Sequence, residues 1–299
     1  MRKSFYIKYV LIFIIFCSFF TSYSQNQQKI DSLESILDEY ITQEKSDELK
    51  DEIFVQIYEE YKIYDWKKAT ETSKRAIALF LYSENVQIRV SWYERLGFIY
   101  LQEGMYSLAL EVFYNVYEIN SNNKINLGWT YVNLGNIFFA QNLQLPKAVE
   151  MYEAALTEFE KIIETNEDNA LKGYAVCYNN LGMIKEKEGK PDKALELYKD
   201  ALSIRLQINS AYELTHSYYV IGLLFNLKQN YDSSIYYLTR SINLSNERNI
   251  KEYIVEALIN RALAYAYQNL YNNSKNDINK ALKYCEENAR WNLANVYLY

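Results

Sequence analysis

The sequence predicts an all-α protein, a solenoid of about six helix pairs, and three observations support this fold class. Gly (8) and Pro (2) are scarce among the 299 residues, so the chain lacks the turn formers that a sheet-rich fold needs. Apolar residues recur at helical rather than alternating spacing. A motif also returns along the chain, its last small residue standing 40, 39, 46, 40 and 40 positions after the previous one. These small residues are Ala76, Val116, Ala155, Ala201, Ser241 and Ala281.

The first 24 residues have the pattern of a secretory signal peptide. Three basic residues surround the start of an apolar run of twelve residues, 9–20, and small residues follow at Ser22 and Ser24. The run is short for a bilayer span, which takes about 20 apolar residues. We therefore expect cleavage near Ser24 and a periplasmic or secreted protein, with an uncleaved membrane anchor as the alternative.

After this leader the sequence divides into three parts. Residues 25–45 contain one amphipathic stretch and predict an N-terminal capping helix. Residues 46–284 hold the repeats, and residues 285–299 begin the helix of a further, incomplete repeat. The single long step of 46 residues predicts an enlarged surface loop at 160–172.

The unit around residue 181 shows the physical logic of one repeat. Its first helix carries Leu181-Gly182 and ends near Gly189. Pro191 opens the second helix, because a proline in the first turn loses no hydrogen bond. A glycine inside a helix costs about 1 kcal/mol relative to alanine. Its return at one register, together with small residues such as Ala201 on the second helix, predicts close packing of the two helices.

The order Leu-Gly, Tyr, Gly, Tyr, Ala, Phe, Val at 96–116, with its copies over about 46–283, resembles the tetratricopeptide repeat (TPR). Units near 40 residues, against about 34 in the basic repeat, are similar to the extended arrays of kinesin light chains and bacterial peptide-responsive regulators. The resemblance implies a right-handed superhelix in which the first helix of each pair lines a concave groove. Overall, the chain is similar to the extracytoplasmic repeat region of bacterial TPR-containing sensor histidine kinases.

Several functional classes are disfavoured by composition. Removal of residues 1–24 takes away three positive charges and changes the net charge from −6 to −9, which disfavours nucleic-acid binding. The sequence has one histidine and no phosphate-binding loop, so we expect no cofactor, no metal site and no enzymatic activity. Cys177 and Cys285 lie in distant repeats and are interpreted as small apolar fillers.

The TPR resemblance implies a set of candidate peptide-binding residues on the first helices. Aromatic rings bind peptide side chains at low entropic cost, and asparagine amides can pair with a peptide backbone. His216 is expected to be a solvated residue of this groove, and Asn133, Asn180 and Asn260 either hold the ligand or cap contacts between helices. The candidates are Tyr58, Tyr61, Phe98, Trp129, Asn133, Asn136, Phe139, Asn179, Asn180, Met183, His216, Tyr219 and Asn260.

These features predict an exported scaffold or adaptor that binds a protein or peptide in its groove. The alternative is the sensory portion of a membrane-associated signal-transduction protein, of the histidine kinase or transcriptional regulator type, without its effector part. In either case the expected partner is a protein or peptide, and a membrane is contacted only through an uncleaved signal segment.

Overall fold

The structure is a computed structural model and describes residues 26–123, 127–142 and 144–288. The predicted signal segment and most of the predicted incomplete repeat lie outside these residues. The described part of the chain is helical, without strands, and consecutive helices form six pairs from α2 to α13. The helices are α1 (26–42), α2 (Asp47–Tyr64), α3 (Trp66–Leu79), α4 (Val86–Gln102), α5 (Tyr106–Asn123), α6 (Leu127–Ala140), α7 (Leu145–Ile162), α8 (Glu167–Lys187), α9 (Pro191–Ile208), α10 (Ala211–Leu227), α11 (Tyr231–Arg248), α12 (Ile254–Tyr267) and α13 (Tyr271–Asn288).

The chain divides into two compact units, Met1–Ile125 and Asn126–Tyr299, here called unit 1 and unit 2. Unit 1 contains α1 to α5, and unit 2 contains α6 to α13. Within each unit, every helix from α2 onward packs on the next one in sequence. The predicted fold class, an all-α repeat solenoid, is confirmed.

Helix α1 packs on the first pair of unit 1 through apolar and ionic contacts. Its residues Ile30, Leu33 and Leu37 are buried in one cluster with residues of α2, α3 and α4. The Arg75 guanidinium of α3 donates to both carboxylate oxygens of Glu34, at 2.7 and 2.9 Å. α1 therefore covers the apolar face of α2 and α3.

The turn inside each pair from α4 onward contains one residue with a left-handed backbone. At Gly189, φ is +72°. The Lys190 amide donates to the Lys185 carbonyl five residues back, a bond that closes the end of a helix. Pro191 then occupies the start of α9, as the sequence predicts. The equivalent left-handed residues are Gly104, Asn142, Gly189, Gln229 and Asn269.

The repeated Leu-Gly position packs against a large side chain of the second helix. A Cβ atom on Gly182 would lie 2.6 Å from Tyr198 Cε1, closer than carbon atoms approach without a collision. Glycine is therefore required on the first helix because a ring of the second helix lies directly on its backbone. The same arrangement joins Gly97 to Phe113 and Gly135 to Tyr152, and the aliphatic side chain of Leu238 takes the place of the ring at Gly222.

The prediction of an enlarged loop at 160–172 is wrong. The surplus residues extend α8, which has 21 residues, while the turn between Ile162 and Glu167 is short. The Asn166 side chain accepts a hydrogen bond from the Asn169 amide and begins the helix early. The added turns are held by packing, because Ala170 and Gly173 are buried beside Phe159.

Candidate functional site

In unit 2, α6, α8, α10 and α12 are the first helices of their pairs, and they carry most of the candidate residues. Three side chains, one each on α6, α7 and α8, form a hydrogen-bonded group. Asn136 Oδ1 accepts from the Tyr152 hydroxyl at 2.8 Å and from Asn180 Nδ2 at 2.9 Å. Because Asn136 and Asn180 belong to neighbouring repeats, this contact fixes α8 against α6. Burial raises the pKa of Tyr152, so its hydroxyl remains a donor.

Asn179, the neighbour of Asn180, has an amide oxygen without a donor. Its side chain is 4% exposed, and Nδ2 donates to Asn180 Oδ1 at 3.3 Å and approaches Met183 Sδ at 3.7 Å. No donor of the described residues reaches Asn179 Oδ1, which is buried. An unsatisfied buried acceptor costs about 1–3 kcal/mol. Beside it, Met183 is 36% exposed and supplies an accessible apolar surface.

A second chain of amide contacts joins α10 to α12. Asn226 Nδ2 donates to the Asn260 backbone carbonyl at 2.9 Å, and Asn260 Nδ2 donates to the Glu256 carbonyl at 2.8 Å. Asn226 Oδ1 and Glu256 Oε2 are buried, and within the described chain neither has a donor. The sequence analysis did not select Glu256, although this residue stands at the same repeat position as Trp129 and His216.

Four aromatic side chains form a cluster between α10 and the start of α12. Tyr253 lies 5.9 Å from Tyr212, 5.3 Å from His216 and 5.6 Å from Tyr219, measured between ring centroids. The expectation of a solvated His216 is wrong, because the ring packs into this cluster. Burial and the nearby positive charge of Arg205 lower the pKa of His216 to about 4, so the imidazole is neutral at physiological pH.

Arg205 is a buried cation that is held from two sides within unit 2. Its Nη1 donates to Ser217 Oγ at 2.6 Å, and its Nε lies 3.5 Å from Glu213 Oε2. That last contact is an ion pair without hydrogen-bond geometry. Burial lowers the pKa of Arg205, and Glu213 opposes that effect.

Other candidates in unit 2 already have structural contacts. Trp129 Nε1 donates to Asn169 Oδ1 at 2.8 Å, and its ring meets Phe159 edge-on at 5.3 Å, so the partly buried indole is held against the core. Phe139 lies under Lys187, whose Nζ is 4.3 Å from the ring centroid. Asn133 is partly exposed on α6.

The candidates in unit 1 do not form a comparable group. Tyr58 is 2% exposed and packs edge-on against Trp92, so its interpretation as a groove residue is wrong. Tyr61 is partly buried with Lys68 over its ring, and Phe98 is exposed with Lys62 near its ring. Unit 1 also has a pocket of about 200 Å³ on α3, α4 and α5, lined by Ile77, Leu81, Arg89, Tyr93, Asn115, Glu118 and Ile119.

The question left open for the three repeat asparagines has a mixed answer in the structure. Asn180 and Asn260 both take part in contacts between neighbouring first helices. The unsatisfied acceptors instead belong to Asn179 and Asn226.

Among the described residues there is no cluster of side chains suited to a metal ion, and none of the described helices is long and apolar enough to cross a membrane.

Two matches to family models, both described as tetratricopeptide repeat, cover residues 173–247 and 255–288. The chain therefore contains tetratricopeptide repeats in these two segments. Four of the six helix pairs, α6 to α13, lie in unit 2, and the two matches together cover most of α8 to α13. A search of curated protein sequences found no match for this chain.

Solved structures with the same fold have low sequence identity. BtubC (BKLC) from P. vanneervenii is 16% identical with a TM-score of 0.63, covering 76% of this chain and 94% of its own. NprR in complex with its cognate peptide NprX is 13% identical with a TM-score of 0.58, covering 91% and 77%. A Rap protein complexed with Competence and Sporulation Factor is 12% identical with a TM-score of 0.58, covering 79% and 70%. At these identities the likeness concerns the fold.

Proposed function

We propose that this TPR protein is a scaffold that binds a peptide or an extended protein segment along the first helices of unit 2. The observation that carries the proposal is the buried, unsatisfied Oδ1 of Asn179 beside the exposed Met183. A peptide backbone N–H would satisfy that oxygen, and an apolar side chain would cover the methionine. Methionine also adapts its shape to different apolar partners.

The rigidity of the surrounding helices supports this role. Asn136, Asn180 and Tyr152 hold α6, α7 and α8 in one hydrogen-bonded arrangement, so Asn179 is placed before a ligand arrives. A preorganised site loses less entropy on binding than a flexible one. NprR and a Rap protein share the fold and are each seen with a bound peptide or factor, which agrees with a binding role for the present chain.

The test is selection of random twelve-residue peptides on the purified chain, followed by measurement of their affinity. Asn179→Ala is expected to weaken the selected peptides by about 10-fold, the value of one hydrogen bond in a dry site. The substitution removes an unsatisfied buried oxygen but also the Nδ2 contact with Asn180, so a circular dichroism melt checks that the variant is folded. The matched control is Lys193→Ala with Lys199→Ala, two exposed positions of α9. Loss of binding in that control alone would contradict the proposed surface.

We also propose that the protein is exported, and that its N-terminal segment is removed near Ser24. The support is the charged start, the apolar run of twelve residues and the small residues at Ser22 and Ser24. N-terminal sequencing of protein from its native host tests this, and an intact Met1 would favour a membrane anchor. An anchored chain would favour the alternative function, the sensory portion of a membrane-associated signalling protein.

A further inference from the structure

We propose that the peptide bound by unit 2 carries a lysine or arginine whose cationic group is received between α10 and α12. The receiving site, here called the acceptor site, consists of Glu256, Asn226, Tyr219 and Tyr253. The inference rests on the proposed function and adds the chemical class of the ligand to it.

The location of Glu256 follows from the contacts on either side of it. Tyr253, one turn before it, stacks on Tyr219 of α10 with an interplanar angle of 27°. Asn260, one turn after it, accepts through its backbone carbonyl from Asn226 of α10. Residues three and four positions apart share a helix face, so Glu256 faces α10 between Tyr219 and Asn226.

The carboxylate of Glu256 has no cationic partner in the described chain. Its Oε2 is buried without a donor. Burial raises the pKa of Glu256, and a hydrogen bond from its own backbone opposes this shift, whereas no lysine, arginine or histidine of the described residues contributes to lowering the pKa. Arg205 lowers the pKa of His216 and acts on that of Tyr253, but it does not act on that of Glu256. Arg205 is already paired with Glu213. A partly buried carboxylate without a counter-charge gains most from a ligand that brings a positive charge.

The other members of the acceptor site select the same kind of group. Asn226 Oδ1 is a second buried acceptor without a donor among the described residues. The same side chain donates through Nδ2 to the backbone carbonyl of Asn260, one helical turn after Glu256. The stacked rings of Tyr219 and Tyr253 offer π faces that attract ammonium and guanidinium groups. The site thus combines acceptors and rings, and a guanidinium or ammonium ion satisfies both.

The occupant is a side chain of the same peptide that reaches Asn179. All these groups lie on first helices of unit 2 or, in the case of Tyr253, immediately before one, and Asn179 and Asn226 both present an oxygen that needs a donor. A peptide supplies backbone N–H donors at Asn179 and a basic side chain at the acceptor site. The net negative charge of the chain favours approach of such a ligand.

The experiment compares peptides selected on the purified chain with peptides selected on Glu256→Gln. We expect wild-type peptides to share a lysine or arginine at one position. Replacement of that residue by norleucine should weaken binding to the wild type by about 10-fold or more, the range for hydrogen bonds to a charged group. The same replacement should change binding to Glu256→Gln by less than about 3-fold.

The control is Glu247→Gln, which removes the same charge from an exposed position of α11. The control variant should retain the full preference for the basic residue. Asn179→Ala should weaken the binding of the basic peptide and of its norleucine analogue by the same factor. Peptides that bind the wild type, lose affinity in Asn179→Ala and share no basic residue would overturn the acceptor site and leave the proposed function intact. Failure to select any peptide would overturn both. Circular dichroism melts confirm that each variant is folded.

Discussion

Replacement of Gly173 by alanine tests the tightest of the glycine contacts between helices in unit 2. A Cβ atom at this position would lie 2.3–2.4 Å from Phe159 Cε2, Cδ2 and Cζ. On the opposite edge of the ring, a Cβ on Gly128 would lie 2.6 Å from Cε1. Phe159 is fully buried and also meets Trp129 edge-on. The ring is therefore enclosed on both edges and cannot move aside.

The size of the effect follows from two opposing contributions. Alanine in place of glycine favours the helix by about 1 kcal/mol. Overpacking costs about 1–3 kcal/mol, and the upper part of that range applies because three ring carbons are hit at once. We expect Gly173→Ala to lower the free energy of unfolding by about 1–2 kcal/mol.

Urea denaturation followed by circular dichroism measures this loss. Phe159→Leu alone costs stability because it leaves a cavity. In a double variant with Gly173→Ala, however, the smaller leucine opens space for the new methyl group. The double variant should therefore be more stable than the sum of the two single effects by about 1 kcal/mol. Gly189→Ala is the control, because its strain comes from a positive φ with no atom within 4 Å, and Phe159→Leu should not relieve it. A stabilised Gly173→Ala variant, or strict additivity, would refute the packing argument.

Three further substitutions follow from buried groups. Ala201 is 1% exposed, so Ala201→Leu should overpack its interface and cost about 1–3 kcal/mol, which a denaturation midpoint records. His216 binds protons less well in the folded state than in the unfolded state, so the free energy of unfolding should fall by up to about 3 kcal/mol as the pH drops from about 6.5 to about 4. In His216→Gln this part of the pH dependence should be absent. Arg261 donates to both oxygens of the buried Asp277, at 2.7 and 2.9 Å. Arg261→Met should cost about 3–5 kcal/mol, and Arg261→Met with Asp277→Leu should recover most of that loss in a thermal melt.

The helix pairs could be predicted from the sequence because local rules determine them. The repeated Leu-Gly element, the break at Gly189 and the start at Pro191 each act through the backbone of a few neighbouring residues. The 46-residue step was misread because a polar run such as 165–169 favours a loop by composition. The deciding interaction is distant in sequence, since Gly173 packs on Phe159 of the preceding helix.

The candidate site could be predicted only in outline. The family register indicates which helix faces are shared, and it directed the candidate list to the first helices, including α8 and α10. It could not show that Tyr58 is buried against Trp92, or that His216 lies within an aromatic cluster, because both depend on packing between helices. Unsatisfied oxygens, such as Asn226 Oδ1, become visible only when every nearby donor has been placed.

The most direct test of the proposed binding surface is photo-crosslinking of a selected peptide. A photoreactive phenylalanine analogue replaces either Met183, the exposed residue beside Asn179, or Lys199 on α9, and mass spectrometry identifies the crosslinked products. We predict a crosslink to the peptide at position 183 and no crosslink at position 199. When Asn179 is also replaced by alanine, about 10-fold more peptide should be needed for the same yield at position 183. A crosslink at position 199 with none at position 183 would contradict the account.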